Sequence, residues 1–179
     1  MCTRSVSVSV AIGITLALLA TAPAAEGPKL GREASPAEIA GWHIDIPPDG
    51  SGLPPGVGTA ASGAAVYAST CQSCHGDRGA GQPNDRLVGG HGSLAGPTPV
   101  RTVGSYWPYA TTVFDYVRRA MPYQQPQSLT ADELYAVTAY LLHLNGIIGE
   151  GDVMNAQTLP RVKMPNRDNF ILAYPPASR

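Results

Sequence analysis

The chain has 179 residues and a formal net charge of −1 at pH 7. This length allows one modest domain with extensions, and the nearly balanced charge excludes a nucleic-acid binder or a polybasic membrane anchor. The 20 glycines and 17 prolines indicate much chain outside regular helices and strands.

The N-terminus has the pattern of an export signal. Met1 to Arg4 is short and positively charged, an apolar run follows from Val6 to Ala20, and Ala22-Pro23-Ala24 supplies a small-residue cleavage site. The apolar run is shorter than the ~20 residues of a membrane-spanning helix. We therefore predict a signal peptide over residues 1–24, cleaved after Ala24, and expect no stable membrane anchor.

Residues 25–58 form a predicted Pro/Gly-rich arm with turns at Pro47-Pro48-Asp49-Gly50 and Leu53-Pro54-Pro55-Gly56. Ser35-Pro36-Ala37-Glu38 is typical of a helix start. Trp42, Ile44 and Ile46 alternate as in an extended segment lying on an apolar surface. Two interpretations stay open: the arm covers the core of its own domain, or it docks a partner.

Three helices are predicted in the next segment, residues 59–146, and strand signals are sparse. Thr59 caps a first helix that ends near Cys71. A second helix opens at Thr111 or Thr112 and stops at Met121-Pro122, because proline disfavours helical geometry in the residue before it. The third has a capping box, Thr130-x-x-Glu133, and ends at Asn145-Gly146. Residues 147–179 are a C-terminal extension.

Cys71-Gln72-Ser73-Cys74-His75 carries the strongest chemical signal. A Cys-x-x-Cys-His run attaches haem through two thioethers, and the adjacent histidine is placed to bind the iron. A thioredoxin-like motif needs no adjacent histidine and usually lies in a βαβ unit. Structural zinc needs a fourth ligand, and none stands at suitable spacing. The sequence thus indicates one covalent haem c, attached outside the cytoplasm, which agrees with export to the periplasm.

This helix order around a Cys-x-x-Cys-His motif resembles a class I cytochrome c: an all-α fold with three main helices around one covalently attached haem. The resemblance implies His75 as the proximal iron ligand and Met121, in a Met-Pro loop, as the distal one. Met164, in the Lys163-Met164-Pro165 loop, is the alternative sulfur ligand. A bis-histidine site through His43, His91 or His143 is a further, weaker alternative.

Residues near the haem are predicted only in part. Tyr106, Trp107 and Tyr109 precede the second helix and could place polar tips on a haem propionate or simply pack in the core. Class I cytochromes often use a proline carbonyl to orient the proximal imidazole, and Pro83 is the candidate here. The segment after Pro83 departs from the usual Pro-x-Leu-x-Gly pattern.

Longer segments are similar to the cytochrome subunits of sulfite and sulfur dehydrogenases of sulfur-oxidising bacteria. They are residues 42–46, 52–56, 104–112, 115–122, 139–146 and 162–168. The resemblance implies a periplasmic monohaem electron-transfer protein, not itself an enzyme. It would accept electrons singly from a molybdenum-cofactor dehydrogenase subunit and pass them, through a downstream cytochrome or oxidase, to the respiratory chain. Some relatives carry two haem motifs, whereas this chain has one.

Two other functions are weighed against this one. The protein could be a general periplasmic carrier that serves another dehydrogenase or a terminal oxidase without a stable complex. It could instead be a haem enzyme or gas sensor with a labile distal ligand. A filled six-coordinate site has no open position for substrate, which argues against catalysis by this chain alone.

Overall fold

A computed structural model describes residues 30–171 together with Gly27 and Tyr174, so the predicted signal peptide lies outside the described residues. The helices are α1 (Pro36–Trp42), α2 (Ala60–Thr70), α3 (Gln72–His75), α4 (Ala110–Ala120) and α5 (Ala131–Leu144), and the strands are β1 (Val57–Thr59) and β2 (Val153–Asn155). Short 3₁₀ turns lie at Asp77–Gly79, Ser93–Ala95 and Leu159–Arg161. Within this described part, every helix is too short or too polar to cross a membrane.

The chain divides into a unit that ends at Ile39 and a second, larger unit that begins at Ala40. In the first unit, Ser35 caps the start of α1 and Arg32 forms an ion pair with Glu38. The predicted helix start at Ser35-Pro36 is therefore confirmed. Trp42 ends α1 and is 89% exposed. The prediction that it lies extended on an apolar surface is wrong, because the helix that begins at Pro36 continues through it.

The three main helices begin and end close to their predicted positions. Thr59 accepts a hydrogen bond from the Ser62 amide at the start of α2, and Thr130 accepts one from the Glu133 amide at the start of α5. Helix α4 begins at Ala110, just ahead of the predicted threonines, and ends before Met121. Local capping and proline signals were sufficient here because they act within one helical turn.

Helices α2 and α5 cross with their backbones in close contact. Gly63 of α2 lies directly against the Ala136 carbonyl of α5, and an added Cβ atom would overlap that oxygen. Tyr67 stacks on Tyr140 across the same interface with ring centroids 5.4 Å apart. Helix α4 packs on the other side of α5 through Phe114 and Tyr135, whose ring centroids are 4.7 Å apart. The core of the larger unit is built on α5, eight of whose residues are buried.

Part of the predicted arm lies on this core. Ile46 is buried, and its amide donates to Asp115 at 2.9 Å. The Tyr135 hydroxyl donates to the Pro54 carbonyl at 2.9 Å. From Ile44 to Pro54 the contacts thus agree with the interpretation that the arm covers its own domain.

The C-terminal extension packs within the larger unit and contributes β2, one of the two short strands that were not predicted. β2 pairs antiparallel with β1, with Met154 opposite Gly58. Met154, Leu159 and Met164 are all buried. The helical fold class is confirmed, with one two-stranded ladder added to it. Strands of three residues have no recognisable period, so the alternation of apolar residues could not reveal them.

Candidate haem site

The Cys-x-x-Cys-His segment follows α2 without a break. Cys71 is the C-cap of α2, and the next four residues form the single turn of α3, which ends at Gly76. Gly76 has a φ of +76°, a conformation that glycine adopts at little cost. The Tyr67 hydroxyl donates to the Gly76 carbonyl at 2.9 Å. These contacts hold the turn that carries Cys74 and His75 against the buried end of α2.

A cavity of about 540 Å³ opens beside this turn. All four residues predicted to hold haem line it: Cys71, Cys74, His75 and Met121. Its other walls come from the loop after α3, the segment before α4, and one face each of α4 and α5. These walls include Pro83, Asn84, Asp85, Arg86, Leu87, Arg101, Thr102, Val103, Trp107, Val113, Tyr116, Val117, Pro122, Tyr123, Val137 and Leu141.

The His75 ring is oriented by a backbone carbonyl. Its Nδ1 lies 2.8 Å from the Asp85 carbonyl oxygen. A carbonyl only accepts hydrogen bonds, so Nδ1 carries the proton and Nε2 keeps a free lone pair for a metal. The partner is thus Asp85 and not Pro83, the residue suggested by the sequence. The Asn84 amide donates to the Cys74 carbonyl at 2.8 Å, which ties this loop to α3.

The two motif cysteines are unpaired, half-buried thiols. Burial raises the pKa of the Cys71 thiol, and the neighbouring Cys74 adds a smaller effect in the same direction. The Thr70 hydroxyl, 3.3 Å from the Cys71 sulfur, opposes the shift.

The structure distinguishes the two Met-Pro loops. Met121 follows α4 and lines the cavity. Met164 is 4% exposed, does not line the cavity, and packs in the hydrophobic core with Leu159. A buried thioether filling a core gap is the ordinary role of methionine.

The alternative histidines lie elsewhere. His43 is exposed beside Asp45, and His91 lines a separate surface groove with Tyr106 and Phe170. His143 lies late in α5, outside the cavity lining. Within the described chain, His75 is therefore the one histidine that lines the cavity.

The three aromatic residues before α4 also lie in different places, one of them on the cavity and two away from it. Of Tyr106, Trp107 and Tyr109, only Trp107 lines the cavity. Its indole packs edge-on against Tyr116, with ring centroids 5.5 Å apart, and Tyr116 also lines the cavity. Tyr109 instead lies under the Arg167 guanidinium, 5.2 Å from it.

Sequence reasoning missed two basic residues at this site. Arg86 and Arg101 are exposed, line the cavity, and form no ion pair among the described residues. Arg86 donates to the Ala80 carbonyl, and Arg101 lies over the Tyr106 ring. Both arginines stand in irregular loops, so neither periodicity nor a motif marked them.

The residues present fit a haem group. The cavity volume falls in the range of about 300–1,000 Å³ that is usual for ligand sites, and aliphatic walls suit a flat macrocycle. A c-type haem uses two thiols for covalent attachment and can take an imidazole and a thioether as iron ligands. Arginines suit its carboxylates. No three His, Cys, Asp or Glu side chains converge on a metal-ion site in the part of the chain described here.

Comparisons with known proteins agree with this geometry. Residues 58–141 match the family model described as cytochrome C oxidase, cbb3-type, subunit III. The fold is similar to a chain in the crystal structure of the sulfane dehydrogenase SoxCD from Paracoccus pantotrophus. That match has 46% sequence identity and a TM-score of 0.75, and it covers 81% of this chain and 72% of the other. A search of curated proteins gave no significant match.

Proposed function

This chain belongs to the cytochrome c family and resembles the cytochrome c subunits of sulfite and sulfur dehydrogenases, and from that premise we propose that it is a periplasmic monohaem electron carrier. It accepts electrons one at a time from a molybdenum-dependent sulfite or sulfur dehydrogenase subunit and passes them to the respiratory chain. The observation that carries the proposal is the convergence of Cys71, Cys74, His75 and Met121 on one cavity.

In this proposal each residue has one role. Cys71 and Cys74 would form the thioether bonds to haem c, which would supply a reversible one-electron couple. His75 would present Nε2 to the iron because the Asp85 carbonyl holds the proton on Nδ1. Met121 would offer a thioether from the segment after α4, and a soft sulfur ligand raises the reduction potential relative to a second imidazole.

The protein groups favour electron transfer over catalysis. If His75 and Met121 both bound the iron of a haem held in the cavity, no coordination position would be left for a substrate. Val113, Val137 and Leu141 supply apolar walls that would keep water away from the haem.

Exposed tyrosines on the cavity lining suit a brief encounter with a partner. Tyr116 is 45% exposed and Tyr123 is 80% exposed, and both line the cavity. Redox partners commonly meet through small interfaces, below about 1,200 Å². A contact at these tyrosines would bring the donor close to the haem edge without requiring a permanent complex.

The test is stopped-flow reduction of the haem-loaded protein by a purified molybdenum sulfite or sulfur dehydrogenase subunit and its sulfur substrate. We expect haem reduction that needs both the subunit and the substrate. Mixtures lacking either one are the controls, and a molybdenum enzyme that does not act on sulfur compounds is a third.

Other results would assign another function. Equal reduction rates with unrelated dehydrogenases would indicate a general periplasmic carrier. Carbon monoxide binding by the reduced protein without denaturant would indicate a labile distal ligand, and hence a haem enzyme or gas sensor.

A further inference from the structure

A buried carboxamide lies behind the cavity wall that carries the partner of His75. Asn145, the C-cap of α5, is only 6% exposed. Its Oδ1 accepts from the Gly89 amide at 3.0 Å, and its Nδ2 donates to the carbonyls of Leu87 and Leu141 at 3.2 and 2.8 Å. One side chain thus joins the last turn of α5 to both ends of residues 87–89.

The same short loop is held from two further directions. The Thr102 hydroxyl donates to the Gly89 carbonyl at 2.6 Å, and the Leu87 amide donates to the Gly79 carbonyl at 2.9 Å. Gly104 packs so closely on the Asn145 carboxamide that an added Cβ would overlap it. These contacts fix the carboxamide in one orientation, and each of its three hydrogen bonds is to a backbone group.

This loop is continuous with the residue that orients His75. Asp85, whose carbonyl accepts from His75 Nδ1, stands two positions before Leu87. Leu87 and Leu141, the two residues whose carbonyls Asn145 binds, also line the cavity. A shift of residues 87–89 away from α5 would move Leu87 in the cavity wall and would be transmitted through Arg86 to the Asp85 carbonyl.

We propose that Asn145 is a positioning residue for the proximal imidazole: by anchoring residues 87–89 to α5, it sets the strength of the His75–Asp85 hydrogen bond and thereby the reduction potential. A firm Nδ1–H···O bond makes an imidazole a better electron donor, which favours the ferric state. Loosening that bond lowers the basicity of the ligand and raises the potential. The inference rests on the proposed role of His75 as an iron ligand.

The test is Asn145→Leu in the haem-loaded protein, with the reduction potential measured by spectroelectrochemical titration. Leucine is close to asparagine in size and adds no charge, but it can neither accept from the Gly89 amide nor donate to the Leu87 and Leu141 carbonyls. We expect the ferrous-to-ferric ratio at a set potential to rise about three- to tenfold. For a one-electron couple this is a positive shift of about 30–60 mV.

Asn166→Leu is the matched control. Asn166 is 8% exposed, donates to the Tyr106 carbonyl at 2.8 Å, and accepts from Asn169 at 3.1 Å. The substitution therefore removes a similar buried donor from another loop, one with no bond to residues 87–89. We expect the control variant to lose stability without the shift in potential.

Equal potentials in the Asn145→Leu variant and the wild type would overturn the proposal and leave Asn145 a purely structural residue. If the variant does not fold, hydrogen exchange in the wild-type holoprotein provides the test. The Gly89 amide and the His75 Nδ1 proton should exchange through one shared opening, and clearly different opening free energies would overturn the proposal. Failure of the proposed function looks different. Without the proposed haem attachment, wild-type protein would carry no thioether-linked haem, and with a different electron donor the potentials of both proteins would still be measurable.

Discussion

Replacing Gly63 with alanine tests the closest contact in the fold. In this structure a Cβ at Gly63 would overlap the Ala136 carbonyl oxygen and lie 2.8 Å from the Tyr140 Cβ. Carbon atoms in good contact are about 3.5–4.0 Å apart, so α2 and α5 would have to separate by roughly 1 Å where they cross. Most of the obstruction is backbone, which cannot rotate away as a side chain could.

The expected cost follows from two opposed effects. Overpacking of a close-packed core costs about 1–3 kcal/mol, and a backbone clash belongs at the upper end of that range. Replacing glycine with alanine inside a helix stabilises the helix by about 1 kcal/mol, because alanine has the higher helix propensity. We therefore expect Gly63→Ala to lower the free energy of unfolding by about 2 kcal/mol.

This change is measured by denaturant unfolding of the holoprotein, followed by circular dichroism. A lower midpoint denaturant concentration, with the same dependence of the unfolding free energy on denaturant, reports the loss of stability. Ala65→Gly is the control, because Ala65 is exposed on the same helix and its replacement loses only about 1 kcal/mol of helix propensity. The substitution that improves helix propensity should thus be the more damaging one. A Gly63→Ala protein as stable as the wild type would refute the close crossing of α2 and α5.

Three further predictions concern the distal ligand and two polar contacts. Met121→His should lower the reduction potential in a redox titration by on the order of 100 mV, since the choice of iron ligand can change haem potentials by as much as about 0.8 V. The control, Met164→Leu, should leave the potential unchanged. Tyr67→Phe should cost about 1 kcal/mol of unfolding free energy at neutral pH through the lost hydrogen bond. Burial raises the pKa of Tyr67 from 10.0 to about 12, so the folded protein holds this proton more tightly than the unfolded chain does. The resulting stabilisation is complete below pH 10. Wild-type stability should therefore fall more steeply between pH 10 and 12 than that of the variant. Thr130→Ala should cost about 1 kcal/mol at neutral pH. Hydrogen bonds from Thr130 lower the pKa of Glu133 below its ordinary value of 4.5. Their contribution to the free energy of unfolding is therefore present above pH 4.5 and lost in acid. In urea titrations, the stability difference between wild type and Thr130→Ala should shrink as the pH falls.

Several features of this protein could be predicted because their causes are local. The Cys71–His75 motif, the capping box at Thr130 and the stop at Met121-Pro122 each act within about one helical turn. Their positions along the chain therefore determine where helices begin and end and which residues offer haem-binding donors. The helical class and the candidate ligands on the α3 side followed from the sequence for this reason.

Other features depend on residues distant in the chain. Met121 and Met164 both precede a proline in a loop, yet the tertiary packing places Met121 on the cavity and Met164 in the core. Asp85 acts through a backbone carbonyl, a group that every residue possesses, so no side chain marked it. The β1–β2 ladder joins segments almost a hundred residues apart. The sequence by itself determined which donors and helices were available, since these follow from local chemistry, and the tertiary structure decided which of them meet, since that depends on how distant segments pack.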